Sequence, residues 1–183
     1  MSLGITVISG PAGVGKGTVV SELRRLRPQV WVSVSATTRP ARPGEIDGVH
    51  YHFLSEEAFD TLVATGGLLE WAVVHGKHRY GTPAAPVLAA AAQGKPVILE
   101  IDLAGARQVR ERLPDAFSIF LAPPDWDTLV GRLSGRGTET SAQVERRLRT
   151  AKVELDAASE FDAIVVNDDL GATVTELVRL MGL

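Results

Sequence analysis

Gly10-Pro11-Ala12-Gly13-Val14-Gly15-Lys16-Gly17-Thr18 follows directly on the apolar run Ile5-Thr6-Val7-Ile8, and residues 18–26 behind it read as a helix. A strand, a glycine-rich loop closing on lysine and then a helix make a phosphate cradle. Backbone N–H groups wrap around phosphate oxygens, the helix N-terminus favours negative charge, and Lys16 reaches the outer phosphates. The stretch therefore implies a nucleoside triphosphate site. The residue after Lys16 is Gly17, not the Ser or Thr whose hydroxyl ordinarily ligates Mg²⁺. Thr18 is read as a phosphate contact at the helix start, with the metal held mainly by phosphates, water and acids elsewhere.

Outward from this loop, apolar segments at 5–9, 30–34, 97–101, 117–121 and 163–166 read as buried strands. Helical patterns run over 17–26, 83–93, 103–112, 126–133, 142–157 and 172–181. Val- and Ile-rich strands alternating with helices predict an α/β fold, a five-stranded parallel sheet flanked by helices with its ligands at the carboxyl ends of the strands. Residues 36–82 break the rhythm, with alternating segments at 49–53 and 69–75 around an amphipathic helix at 56–64. They predict a small mixed β/α insertion for a second substrate, hung on a core of residues 1–35 and 83–183. A glycine-containing stretch at about 134–142 is read as a short mobile lid.

The chain has 183 residues, 45% hydrophobic and 22% charged, which fits one globular domain and argues against disorder. A net charge of −3 gives no general nucleic-acid or membrane surface, so anion sites must come from local arginines and lysines. There is no cysteine and no apolar run near the ~20 residues of a membrane span. The first strand begins too early to leave room for a signal peptide, and a cytoplasmic location is the expectation.

Phosphoryl transfer needs alignment and positive charge around the migrating group. Arg39 and Arg42 flank a polar loop at the end of the second core strand, either as a fork for an acceptor phosphate or as solvated loop residues. Glu70 interrupts an apolar run, while Glu100 and Asp102 bracket Ile101 at a strand end. These two acids either organise magnesium or pair with a structural arginine such as Arg107. Arg132 and Arg136 are four apart, with Arg146, Arg147 and Arg149 beyond the lid. His50, His52, His75 and His78 lack a metal-binding pattern.

Taken together these motifs resemble the guanylate kinases, which move the γ-phosphate of ATP to GMP, over residues 5–180. The resemblance rests on GPAGVGKGT at 10–18, SVSATTRPARPGEIDGVHYHF at 33–53, LEWAVVHGKHRYGTP at 69–83, LEIDLAGA at 99–106, RLSGRGTET at 132–140 and VVNDDL at 165–170. It implies that residues 36–82 bind GMP, with Ser35, Arg39, Arg42, Tyr51 and Tyr80 at its phosphate and ribose. Glu70, Thr82 and Asp102 would read the guanine, Glu70 foremost, because a carboxylate accepts from guanine N1–H and its 2-amino group. On the ATP side it implies Gly10, Pro11, Ala12, Gly13, Val14, Gly15, Lys16, Gly17 and Thr18, with Asn167 near adenine. Lys16, Arg39, Arg132, Arg136 and Arg147 would serve catalysis. Mg²⁺ would enter with ATP, near Thr18, Glu100 and Asp102 through water.

Ala12 stands where many relatives have Ser, and Thr82 keeps the hydroxyl of a Ser found in some. Other readings are a peptide-binding scaffold module and a kinase for a different small acceptor. The first is opposed by Lys16 and the lid arginines, the second by Glu70 together with the Arg39, Arg42, Tyr51 and Tyr80 set. The expected partners are ATP and GMP, dGMP included, with neither nucleic acid nor membrane. Both the insertion and the lid are expected to close over bound nucleotides.

Overall fold

The computed structural model describes residues 4–74, 76–134 and 141–183, without the side chains of Ser141 and Ala142. Strands β1 (Ile5–Ser9), β2 (Trp31–Val32), β7 (Val97–Glu100), β8 (Phe117–Ala122) and β9 (Ala163–Val166) form one sheet in the order β2-β7-β1-β8-β9. Every pairing in it is parallel. β1 lies at the centre and is buried along its whole length. Near-continuous apolar strands require cover on both faces, and two cores supply it. Ile5, Val7, Leu99 and Phe120 pack on one side with α3 (Ala84–Ala92) and α4 (Leu103–Arg112). On the other, Ile8, Ile98, Ile119 and Leu121 pack with α1 (Lys16–Leu26) and α7 (Leu170–Met181). Burying each such side chain contributes about 1.5–3 kcal/mol.

Helix starts follow their capping residues. The Asp102 carboxylate accepts from Gly105 N at the head of α4, and Asp169 accepts from Ala172 N at the head of α7. Ser55 does the same for α2 (Glu56–Ala64) through Ala58 N, and each cap is worth about 1 kcal/mol.

A second sheet joins β3 (Ala36–Thr37), β4 (His52–Phe53), β5 (Leu68–Val74) and β6 (His78–Pro83) in the order β4-β3-β6-β5. It is mixed: β3 runs parallel to β4, while β6 is antiparallel to β3 and β5. α2 covers it through Phe59, with Ala36, Leu68 and Trp71 around the ring. The side-chain amide of Gln108 on α4 fixes this sheet to the core, accepting from Trp71 N and donating to Trp71 O, both at 3.1 Å. Arg112 of the same helix donates to Leu68 O at 2.6 Å.

Two expectations need correction, and one strand was not expected. The strand expected over 30–34 shortens to Trp31–Val32, because after Ser33 bonds Ile98 O the chain leaves for the second sheet. The segment 49–53 is strand only at His52–Phe53: Val49 N and His50 N turn back onto Ile46 O, so the alternation there belongs to a turn. Its His50 ring accepts from Ile46 N, a structural role. β6 has no strand signature in the sequence, because HRYGTP is polar and contains Gly and Pro. It is nevertheless an interior strand of its sheet, and Gly81 allows the close approach, since a Cβ there would lie 2.7 Å from Glu70 O. α5 (Trp126–Ser134) and α6 (Ser141–Asp156) stand on either side of residues 135–140. The expected lid, Arg136 included, therefore lies largely outside the described residues, as does His75.

Candidate active site

The glycine-rich loop leaves β1 and passes over the ends of the parallel strands before α1 begins at Lys16. Two of its glycines are sterically required. A Cβ on Gly10 would collide with Leu121 O, and Gly15 takes φ +99° with the Asn167 amide 2.8 Å from where its Cβ would be. Asn167 donates to Val14 O at 2.7 Å and accepts from Thr173 Oγ1 at 3.1 Å, so its side chain braces the loop. Arg132 reaches Val14 O at 3.3 Å and Asn167 O at 3.4 Å from α5. Together with Lys16, Gly17, Thr18, Glu100 and Asp168 these residues enclose a cavity of about 610 Å³.

The Lys16 ammonium donates to the carbonyls of Gly10 and Pro11. Burial lowers its pKa, opposed by the negative charges of Glu154, Glu100 and Asp102. Burial likewise raises Glu100 and Glu154, against the pull of Lys16. Glu154 is buried on α6 and accepts from the backbone of Ala12. Arg147 lies half-buried on the same helix seven residues earlier, two turns along the same face. Gly17 is not sterically required, because a Cβ there would meet Glu100 Oε1 at an ordinary 3.7 Å. Glu100 is thus the carboxylate beside the position that lacks a hydroxyl.

The second sheet brings the other candidates together. Glu70 on β5 and Thr82 on β6 are register partners, both buried, and Thr82 Oγ1 donates to Glu70 Oε1 at 2.6 Å. Burial pushes the Glu70 carboxyl up to about 7, opposed by Thr82 and reinforced by the charge of Asp102. Arg39, also buried, donates through Nε to Tyr80 Oη at 3.0 Å and lies under the rings of Tyr51 and Phe53. The Tyr51 and Tyr80 rings meet edge to face at 5.7 Å. Ser35 immediately precedes β3, its carbonyl taken by His52 N. Arg42 is exposed at the mouth of this cluster.

Glu100 and Asp102, at the end of β7, face both halves. Their charges act on Lys16 on one side, while Glu100 acts on Tyr51 and Asp102 on Glu70 on the other. Arg107, weighed as their structural partner, instead pairs with Glu160. Asp102 is exposed and spends one oxygen on its helix cap.

One expected arrangement differs. Arg39 does not present an open fork, because both its terminal nitrogens bond Glu45 at 2.9 Å. Glu45, Gly105 and Glu154 were not singled out from sequence. The three-residue spacing of Arg42 and Glu45 marked the first, and the two-turn spacing from Arg147 marked the last. Gly105 carried no signal: a Cβ on it would lie 2.9 Å from Glu70 Oε2, a contact made only by the fold.

The family model for guanylate kinase matches residues 4–182. The guanylate kinase of Thermobifida fusca is 59% identical over 177 residues, covering 97% of this chain and 90% of that protein. The guanylate kinase of Streptomyces coelicolor is 58% identical over 176 residues, covering 96% and 89%. Among solved structures, guanylate kinase from Anaplasma phagocytophilum superposes with a TM-score of 0.73 at 29% identity, over 97% of this chain and 84% of that one. Shikimate kinase from Bacteroides thetaiotaomicron, at a TM-score of 0.52 and 14% identity over 98% of each chain, shares the fold. With a phosphate loop and a buried carboxylate–hydroxyl pair facing each other across the strand ends, and with matches that run the length of the chain, the protein belongs to the guanylate kinase family.

Proposed function

We propose that this guanylate kinase transfers the γ-phosphoryl group of ATP to GMP, and to dGMP, with the glycine-rich loop as donor site and residues 36–82 as acceptor site. The observation that carries the assignment is the buried Glu70–Thr82 pair at the rim of the strand ends. A buried carboxylate held only by the hydroxyl and backbone of Thr82 keeps acceptor capacity for the N1–H and 2-amino donors of guanine, which adenine does not offer as a pair. A site built to accept these donors penalises a base that lacks them, because the carboxylate is then left unpaired.

The acceptor phosphate binds among Ser35, Arg39, Arg42, Tyr51 and Tyr80. The ATP phosphates take the N–H groups of residues 10–18 together with Lys16, and Arg132 and Arg147 surround the migrating group. Asn167 lines the donor cavity and holds its loop toward the nucleotide. Because the GMP phosphate is ionised near neutral pH, no strong general base is needed, and alignment and positive charge lower the barrier to in-line attack. The donor set suits magnesium, a hard cation that takes few protein oxygens and keeps its waters: Glu100 stands beside Gly17, with Thr18 on the same cavity wall and Asp102 beyond Ile101. Magnesium entering with ATP would supply positive charge against the phosphates there. The absence of cysteine fits a cytoplasmic enzyme.

A coupled assay across GMP, dGMP, AMP, UMP and CMP tests the assignment, in the parent and in Glu70→Gln. GMP preference falling by about tenfold or more, with the KM for ATP within twofold, supports it. Retained preference in the variant contradicts it.

A further inference from the structure

Glu45 makes a bidentate pair with Arg39. Arg39 Nη1 donates to Glu45 Oε2 and Nη2 to Oε1, both at 2.9 Å, and Oε2 also accepts from Arg42 N at 2.7 Å. The two side chains are 10% and 18% exposed, so the pair is largely shielded from water. A guanidinium carries five N–H donors. Arg39 spends one on Tyr80 Oη, one on Pro40 O and two on Glu45, leaving a single N–H on Nη2. Tyr80 accepts from Arg39, so its own O–H remains to donate elsewhere. Arg42, whose backbone N–H is held by the same Glu45 oxygen, is exposed at the mouth of the site.

We propose that Glu45 is a positioning residue for the acceptor: it locks the fork of Arg39 and the backbone of Arg42, so that the acceptor phosphate meets one Arg39 N–H, the Tyr80 hydroxyl and the Arg42 side chain in a fixed array. This inference rests on the reading of residues 36–82 as the acceptor site. A long arginine between two aromatic rings has many rotamers of similar energy, and selecting one in advance removes that ordering cost from binding. The carboxylate is suited to the task because it is a fork acceptor of the same shape as the fork it holds. Its pKa, held down to about 2 by Arg39 and the Arg42 backbone, leaves it charged near neutral pH.

The test is steady-state kinetics with both substrates varied, on the parent, Glu45→Gln, Arg39→Lys and the double variant, with thermal melts to verify folding. Glu45→Gln turns an amide NH₂ toward the guanidinium and breaks the fork. The expected result is a KM for GMP raised by about tenfold with kcat and the KM for ATP within twofold, since a contact made equally in ground and transition states affects KM alone. In the Arg39→Lys background, adding Glu45→Gln should raise that KM by less than a further twofold, because a lysine cannot be forked. If Glu45→Gln melts early, Glu45→Asp, which keeps the charge and shortens the reach, should show the same split at smaller amplitude. An unchanged or lowered KM for GMP in the folded Glu45 variant overturns the inference, and so does full additivity in the double variant. If Arg39→Lys itself leaves the KM for GMP unchanged, the acceptor-site reading fails and the role of Glu45 falls with it. A raised KM in Arg39→Lys beside an unaffected Glu45→Gln removes only the Glu45 role.

Discussion

Thr82 donates its hydroxyl to Glu70 across the β5–β6 ladder at 2.6 Å, and this bond is the only protein hydrogen bond from a side chain to the Glu70 carboxylate among the described residues. The hydroxyl and the backbone N–H of Thr82 together do not offset the burial, which pushes the carboxyl up to about 7. On the proposed reading of the site GMP would supply two further donors, and the ionised form is the one that accepts both. Below pH 7 the KM for GMP should therefore rise by about tenfold per pH unit, beyond the contribution of the GMP phosphate itself. Glu70→Gln should lose this limb and keep the phosphate limb. Identical pH profiles of KM for GMP in the two proteins would contradict the assignment.

The same group links pH to stability. Its pKa is 4.5 in an ordinary setting and about 7 in the folded protein. Between these values the folded state holds a proton that the unfolded chain has lost, so stability without nucleotide falls as pH rises through that window. Denaturant titrations at pH 4.5 to 7.5 should show a shallower fall in Glu70→Gln than in the parent. Equal slopes would place the proton elsewhere.

Gly105 is the neighbour that makes room for this carboxylate. Gly105→Ala sets a methyl 2.9 Å from Glu70 Oε2 and should cost about 1–2 kcal/mol while raising the KM for GMP. Gly131→Ala, on α5 with no described neighbour within 4 Å of the new Cβ, should stabilise by about 0.5–1 kcal/mol and leave that KM alone. Equal effects of the two in melts and kinetics would remove the steric argument.

Gly17 offers a gain-of-function test. Gly17→Ser fits, at 3.7 Å from Glu100 Oε1, and supplies a hydroxyl beside that carboxylate. The Mg²⁺ concentration for half-maximal rate should fall in Gly17→Ser and rise by about tenfold in Glu100→Gln. Titration of both at saturating nucleotide checks this, and an unchanged requirement in Glu100→Gln would take Glu100 out of the metal's surroundings.

Most of the parallel sheet was legible because its chemistry is local. Ile5–Ser9 and Ala163–Val166 are largely apolar runs bounded by turn residues and both form strands, but only the first is buried as expected: the second lies at the sheet edge, where Ile164 and Val166 are exposed. The second sheet was harder to read. His78–Pro83 has no strand signature of its own and is specified by its partners, while the alternation of Val49 and Tyr51 imitates a strand that the turn at Ile46 forbids. Within the site, Lys16, Glu70 and Arg132 announce themselves by residue type in an unusual setting. Gly105 and Glu45 do not, since a missing methyl and a carboxylate in a polar loop acquire meaning only when the fold brings Glu70 and Arg39 to them.

Gln108 has a bearing on how the protein behaves at high concentration. β5 is a seven-residue edge strand with Val73 exposed, and an open edge of that length is a template for strand pairing with another molecule. By taking both the N–H and the C=O of Trp71, the Gln108 amide acts as a one-residue substitute for the missing neighbour strand, and Arg112 blocks Leu68 O beside it. Two side chains of one helix thus occupy backbone groups of the edge that another strand would otherwise take.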